Sequence, residues 1–321
     1  MRIAVFASGR FALPALRSVH NSSHDIACVI TQPPRPAGRG RKPRPTPVAE
    51  FADAETLELW TTERVNEPDT VSRLGDLQLD LGLVIAFGQK LGPPVMSAFR
   101  SGCVNLHASL LPRYRGAAPI QWAIMRGEPH TGVTVFRLTD RMDAGPILAA
   151  RQTMIRPDET ADELHDRLAR IGPDAVGAAL VRFQDDPNPA GIAQDDAEAT
   201  RAPKLTKRDG YVTFNQPAMT LARTINGLWS WPGATAEYVS ADGRRRECVT
   251  LARARVAQSA EPPIGECGVL GHGLHVASPD GWLEILEIRP QAGRVLAWPE
   301  FVNGRRTRPG DRFTAVSDSL Q

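Results

Sequence analysis

The strongest constraint on this chain is a set of short apolar runs, each of which ends at a turn. Ile3-Ala4-Val5-Phe6 ends at Ala7-Ser8-Gly9, Asp25 to Ile30 follows, and Leu79 to Phe87 closes on Gly88. Runs of that length bounded by turn residues read as buried strands. Val84-Ile85-Ala86 is apolar on both faces, as a central strand of a parallel sheet requires. Between the first two runs, Phe11 to Val19 carries helical spacing instead. Strand, turn, helix, strand opens a doubly wound α/β sheet, and such sheets bind ligands beyond the carboxyl ends of their strands. The Ser8-Gly9-Arg10 turn is therefore a candidate rim of a site, and a tight structural turn reads equally well.

The next strand, Gly102 to His107, ends in polar residues. Asn105 and His107 are two apart, so on a strand they point to the same side, an amide and an imidazole facing one reacting centre. That pairing suits chemistry at a carbonyl. Ser109 to Gly116 then forms a loop in which Pro112 fixes the turn, and Pro119 opens a helix from Ile120 to Arg126. Arg115 reads either as an orienter of a carboxylate or phosphate or as an anchor of its own loop. Gly132 to Leu138 alternates as a strand and delivers the loop that carries Asp143, and Pro146 to Thr153 is expected to be another strand. A short amphipathic helix is expected over Phe51 to Trp60. A second is expected from Thr160 to Ile171, where Thr160-Ala161-Asp162-Glu163 has capping-box spacing.

Asn105 to Gly116, read as Asn-x-His-x-Ser-Leu-Leu-Pro-x-x-Arg-Gly, with Asp143-Ala144-Gly145 downstream, resembles the signature of the formyltransferases that use 10-formyltetrahydrofolate. Thr31-Gln32-Pro33 with Arg35 to Gly40, Gly116 to Gln121, and Trp231-Pro232-Gly233-Ala234 are similar to the methionyl-tRNA formyltransferases from end to end. At the first turn that family reads Gly-Thr-Pro-x-Phe, where this chain, a residue shorter, reads Ser-Gly-Arg-Phe. The resemblance implies Asn105, His107 and Asp143 as the catalytic set. It also implies a folate pocket made by Ala86, Phe87 and Gly88, whose backbone groups bond the pterin, with Ser109, Leu110, Leu111 and Pro112. The implied donor is 10-formyltetrahydrofolate without a metal, the partner methionyl-initiator tRNA, and the oligomeric state a monomer. The implied plan is a Rossmann-like formyltransferase domain over 1–184, a linker over 185–207 and a C-terminal OB-like β-barrel that contacts tRNA over 208–321. From the residues alone, Gln184 to Ala199 is rich in Asp, Pro, Asn and Ala, as a linker is. Short strands broken by Gly and Pro follow a helix over Met219 to Leu228: Ala234 to Val239, Glu247 to Ala252, Gly268 to Leu270, Leu274 to Ala277 and Trp282 to Ile288. That pattern suits a small barrel.

Between Thr31 and Val48 the chain carries six prolines, two glycines and the cations Arg35, Arg39, Arg41, Lys42 and Arg44, with no acid before Glu50. Such a segment cannot be helix or central strand, and its uncompensated charge suits phosphate contacts. A solvated loop is the plainer reading. The resemblance implies that it enters the tRNA acceptor stem, and extends the tRNA surface to Lys204, Lys207 and Arg294. Arg244, Arg245, Arg246, Arg289, Arg305, Arg306 and Arg308 add to a phosphate-tracking surface on the barrel.

The 321 residues are enough for two cores, and the formal charge of +2 requires any polyanion site to come from local clustering. Cys28, Cys103, Cys248 and Cys267 form no C-x-x-C pair, so they read as buried free thiols of a reducing compartment. Met1-Arg2-Ile3 enters a strand without the layout of a secretory leader, and no run approaches the roughly 18 apolar residues of a membrane span. A cytoplasmic protein is expected. Three other readings stand beside formylation of methionyl-tRNA. One is formyl transfer to an amino-sugar nucleotide, against which the basic loop counts. Another is hydrolysis of formyltetrahydrofolate, which needs no basic loop. The last is a noncatalytic RNA-binding module with a degenerate transferase domain, against which the intact Asn105, His107 and Asp143 speak.

Overall fold

The apolar runs do become the centre of a sheet. The computed structural model describes residues 1–37, 42–258, 263 and 265–316. In chain order the first elements are β1 (Arg2–Ala7), α1 (Leu13–His20), β2 (Asp25–Thr31), β3 (Arg35–Ala37), β4 (Lys42–Arg44), α2 (Pro47–Ala54) and β5 (Leu59–Thr61). Next come α3 (Pro68–Asp76), β6 (Leu81–Ile85), α4 (Pro93–Met96), β7 (Cys103–His107), β8 (Arg115–Gly116), α5 (Pro119–Met125), β9 (His130–Arg137), β10 (Ile147–Met154), α6 (Ala161–Asp185) and β11 (Arg201–Ala202). Two units result, one from residues 1–116, 130–153 and 165–202, the other from 117–129, 154–164 and 203–321.

The first unit holds a seven-stranded sheet in the order β10-β9-β7-β6-β1-β2-β5. β1 pairs in parallel with β2 and β6, and β6 in parallel with β7, while β7 and β9 are antiparallel. Its order turns back between β1 and β6, the place where an open α/β sheet leaves a crevice beyond its strand ends. Phe6 anchors the packing edge-on to Phe87 at 5.6 Å and Phe99 at 6.0 Å, contacts worth about 0.5–1.5 kcal/mol each beyond burial. Gly82 is required beneath them, because a Cβ there would lie 2.5 Å from the Cys103 sulfur and 3.2 Å from the Phe99 ring.

Several elements depart from the periodicity reading. The second helix covers Pro47–Ala54, not Phe51 to Trp60, because Thr46 caps it by accepting the Ala49 N–H at 3.0 Å and Pro47 opens it. Trp60 instead lies in β5. α6 continues through Pro173 to Asp185; Val176, Ala179, Leu180 and Phe183 extend the stripe begun by Leu164 and Leu168, and all are buried. That burial offsets the roughly 3 kcal/mol cost of an interior proline. The basic segment is a two-stranded ribbon, β3 with β4, in the register Arg35↔Arg44, Pro36↔Pro43 and Ala37↔Lys42. Proline has no N–H, so Pro36 and Pro43 occupy a pair that exchanges no hydrogen bond. Arg39 and Arg41 lie outside the described residues. Of the cysteines, Cys28 and Cys103 are buried with thiols pushed up to about 12 by desolvation, whereas Cys248 is half-buried and Cys267 exposed, contrary to a uniform buried set.

The second unit adds α7 (Ala218–Leu228), β12 (Ala234–Val239), β13 (Arg246–Val256), β14 (Val276–Ser278), β15 (Gly281–Pro290), β16 (Leu296–Ala297), α8 (Trp298–Arg305) and β17 (Arg312–Thr314). The antiparallel path runs β14-β15-β13-β12-β17. Val269 bridges Arg312 and Leu270 bridges Val276, so residues 268–270 nearly close the path into a barrel. α8 was not legible as a helix. It buries Trp298 and Phe301, which stack at 5.5 Å, against Tyr238 and Phe313. Among the described residues no helix is long and apolar enough to cross a membrane.

Tyr238 carries a buried polar contact of the barrel. Its hydroxyl donates to Asp311 Oδ2 and lies 3.1 Å from Thr307 Oγ1, and its pKa is pushed up to about 12, first by burial and then by the Asp311 carboxyl. Tyr238→Phe keeps the ring and deletes the donor. It should lower the stability of the second unit by about 1.5–3 kcal/mol, the worth of a hydrogen bond to a charged acceptor, read as a lower urea midpoint.

Candidate active site

β1, β6 and β7 are neighbours that end on one rim, and their loops carry the polar groups. Ser8, just past β1, donates its hydroxyl to the Phe87 carbonyl at 3.2 Å and accepts the Gln32 N–H at 3.2 Å. Gln32 Nε2 also donates to Phe87 O, at 2.8 Å. The Ser8-Gly9 turn therefore ties three strand ends together. Ala86 and Gly88 flank the buried Phe87 with φ of 48° and 82°, and both are exposed at the crevice. The positive φ favours glycine at 88, and a Cβ there would displace the Gln32 amide, 2.4 Å away, from its bond to Phe87.

Asn105 is half-buried and His107 7% exposed at the end of β7. The His107 ring stands edge-on to Phe136 at 6.4 Å, and its Nε2 lies 2.9 Å from the Tyr114 carbonyl oxygen. A carbonyl only accepts, so Nε2 carries the proton in this arrangement. Nδ1 faces Asp143 Oδ2 at 3.8 Å. That is an ion-pair separation once the ring is protonated and too long for a hydrogen bond. The ring is thus oriented by the Tyr114 carbonyl, with the Asp143 carboxylate as a charge beside it.

Asp143 is set on a loop with φ of 49°, in the left-handed region, and its Oδ2 accepts the Gly116 N–H at 2.8 Å. Two glycines allow this. A Cβ at Gly145 would sit 1.8 Å from the Arg137 carbonyl, and one at Gly116, whose φ is 128°, would sit 2.5 Å from the Ala202 carbonyl. The Asp-x-Gly spacing is therefore a packing requirement of the loop that presents the acid.

The 109–112 loop is braced from below. Thr134, fully buried, donates to the Ser109 carbonyl at 2.7 Å and accepts the Leu111 N–H at 3.2 Å. Ser109 Oγ donates to Arg113 O at 2.6 Å; Leu111 is buried, while Leu110 and Pro112 are half-buried. The two readings of Arg115 resolve to an anchor. Nε and Nη2 donate to Gln194 Oε1 at 3.0 and 2.8 Å, and Nη1 to Asp196 Oδ1 at 2.9 Å. Tyr114, Thr134 and Gln194 were not singled out from the sequence. Tyr114 acts through its backbone carbonyl, which leaves no residue-type signal, while Thr134 and Gln194 use side chains whose targets are main-chain groups or an arginine distant in sequence.

Arg35, Lys42 and Arg44 are exposed on the ribbon, with Arg35 directly opposite Arg44. Like charges so placed repel, a cost that an anion would relieve. In the second unit Lys204 and Lys207 are exposed. Arg294 pairs with Glu300 at 3.0 Å, Arg246 with Glu237 at 3.1 Å and Arg305 with Glu247 at 3.0 Å, while Arg289 lies over the Trp229 ring. Much of the barrel's positive charge is thus already compensated.

The family described as Formyl transferase matches residues 1–180, and Formyl transferase, C-terminal domain, matches residues 204–306. The chain is 36% identical over 317 residues to the methionyl-tRNA formyltransferase of Solibacter usitatus (strain Ellin6076), covering 98% of each. It is 39% identical over 313 residues to that of Jannaschia sp. (strain CCS1), covering 97% of this chain and 99% of the relative. Among solved structures, HypX from Aquifex aeolicus in complex with tetrahydrofolic acid aligns with a TM-score of 0.59 at 20% identity, over 94% of this chain and 47% of that one. WlaRD, a sugar 3N-formyl transferase, aligns with a TM-score of 0.63 at 14% identity, over 89% of this chain and 97% of that one. At those identities the two share the fold.

Thr134→Val keeps the volume of the brace and removes both of its hydrogen bonds. The Ser109 carbonyl and Leu111 amide are then left unsatisfied, at about 1–3 kcal/mol for each buried group. A lower melting temperature should accompany faster hydrogen exchange at the Leu111 amide.

Proposed function

Because the chain belongs to the formyltransferase family over both of its parts, we propose that it transfers the formyl group of 10-formyltetrahydrofolate to the α-amine of methionyl-initiator tRNA. The observation that carries the chemistry is the meeting of the His107 ring and the Asp143 carboxylate, 3.8 Å apart, beside Asn105 on the rim of the sheet. Full-length likeness to methionyl-tRNA formyltransferases supports the choice of acceptor.

The residues fit a folate donor. The crevice between β1 and β6 is lined by the 86–88 turn, and the neighbouring β7 leads into the 109–112 loop; both offer peptide groups to a flat pterin. We assign Ala86, Phe87, Gly88, Ser109, Leu110, Leu111 and Pro112 to that pocket. When bound, the folate supplies an electrophilic formyl carbon on N10: a carbon–nitrogen bond forms to the amine, the bond to N10 breaks, and one proton passes from the amine to N10. Asn105 donates its amide N–H to the formyl oxygen as charge gathers there. A carboxylate at that position would repel the charge. His107 has committed Nε2–H to Tyr114, so its protonated form offers Nδ1–H to the same centre. Asp143 stabilises that imidazolium and accepts the proton shed by the amine, directly or through a water. The ribbon's Arg35, Lys42 and Arg44, with Arg39 and Arg41, meet the acceptor stem, and Lys204, Lys207 and Arg294 meet the tRNA from the second unit.

Single-turnover formylation tests the reading. With 10-formyltetrahydrofolate and methionine-charged tRNA, transfer should be confined largely to the initiator. Donor binding without transfer to either initiator or elongator tRNA would move the assignment to an amino-sugar nucleotide or to hydrolysis. In the same assay Asp143→Asn, which can still accept the Gly116 N–H through its amide oxygen, should slow turnover about 10²–10⁴-fold, the usual weight of acid–base catalysis, with donor affinity retained. A near-normal rate would refute the role. For the ribbon, joint replacement of Arg35 and Lys42 by alanine should lower the slope of log K against log salt by about 1 to 2. Donor affinity should be unchanged, and an unaltered slope would remove the ribbon from the tRNA interface.

A further inference from the structure

We propose that Gln194 is a positioning residue for Asp143, and that residues 192–202 brace the catalytic pair. This rests on the reading of Asp143 as the group that handles the proton. Gln194 Nε2 donates to the Asp143 carbonyl at 2.9 Å and to the Gly145 carbonyl at 2.7 Å. Its Oε1 accepts from Arg115 Nε at 3.0 Å and Nη2 at 2.8 Å. An amide has two N–H donors and one oxygen with two lone pairs, and here all are used. The orientation is fixed as well, because a flipped amide would set its N–H groups against the guanidinium and its oxygen against two carbonyls.

The bonds reach both sides of the acid. On one side they hold the main chain at 143 and 145, where Asp143 keeps a left-handed backbone that a non-glycine residue disfavours. On the other they hold Arg115, whose neighbour Gly116 supplies the N–H that orients the Asp143 carboxylate. The circuit closes through Asp196: its Oδ1 accepts from Arg115, and its Oδ2 accepts from Arg141 at 2.6 Å, two residues before the acid. Hydrogen bonds from Arg141 and then Arg115 hold the Asp196 carboxyl below its usual range.

The same segment supports the imidazole. Thr200 Oγ1 accepts the Tyr114 N–H at 2.8 Å and the Thr200 carbonyl accepts the Arg115 N–H at 2.9 Å. Tyr114 is the residue whose carbonyl holds His107 Nε2. Ile192 and Ile147 exchange both backbone hydrogen bonds at 2.8 Å, which pins the start of the segment. A stretch with the composition of a linker therefore sets the aim of both the acid and the ring.

Gln194→Glu isolates the effect, because its carboxylate still accepts from Arg115 but has no N–H for Asp143 and Gly145. We expect kcat for formyl transfer to fall about 10- to 100-fold, the usual penalty for a reacting group displaced by an ångström. KM for donor and for aminoacyl-tRNA should stay within about two-fold. The decisive readout is the cycle with Asp143→Asn. If Gln194 acts through Asp143, adding Gln194→Glu to Asp143→Asn lowers kcat by no more than about two-fold, whereas independent sites would multiply their losses. Should the glutamate impair folding, Gln194→Met, of similar length and uncharged, gives the same readouts. A single variant within about two-fold of the unaltered protein, or losses that multiply in full, would overturn the proposal. Near-normal turnover of Asp143→Asn alone would instead overturn the reading of Asp143 beneath it.

Discussion

One backbone amide fixes the geometry of the site: the Gly116 N–H that the Asp143 carboxylate accepts at 2.8 Å. It joins two loops that leave different strands, and it can form only because position 116 lacks a side chain. Parallel pairing of β8 with β11 brings the Ala202 carbonyl to within 2.5 Å of where a Cβ would stand. Remove that approach and the amide turns away, the carboxylate loses its aim, and the Nδ1 face of His107 loses its charge partner. The constraint is steric before it is electrostatic. Charge placement follows from how closely two backbones approach.

The sheet and the rim that carries Asn105 and His107 were legible because their signals are local. β1, β2, β6 and β7 are short apolar runs that end at turns, and Asn105 and His107 fall two apart on a strand, so their shared side follows from geometry alone. Asp143 was singled out by the resemblance that its Asp-x-Gly completes, and the structure supplies the reason for the glycine, a close approach to the Arg137 carbonyl. What stayed hidden depends on partners distant in sequence. α6 outlasts Gly172-Pro173 because the surrounding core rewards about four more turns of helix than periodicity allowed, and α8 forms because Trp298 and Phe301 find the barrel's aromatic cluster. Tyr114 contributes a carbonyl, which every residue type possesses, and Gln194 sits in a stretch whose composition reads as connector.

Charge in the second unit teaches a related lesson. A count of arginines suggests a broad cationic surface, but Glu237, Glu247 and Glu300 each lie against one. Only the Arg294–Glu300 pair is exposed on both sides, where such a contact adds about 0–1 kcal/mol at most to stability; the clearer effect of all three is on the field seen from outside. The ribbon is different: among the described residues Arg35 faces Arg44 across the strands without an acid between them. Density of positive charge, more than its total, separates the two surfaces.

The register of that ribbon also bears on how copies of the chain avoid one another. A two-stranded ribbon standing in water has two open edges, and open edges recruit passing strands into aggregates. Pro36 and Pro43 occupy the pair whose peptide groups point outward, so the positions from which each edge would offer a donor have no N–H. Lysine and arginine on either side add repulsion between copies. This exposed, cation-bearing element is therefore closed to strand addition, and crowded chains can present it without sticking to one another.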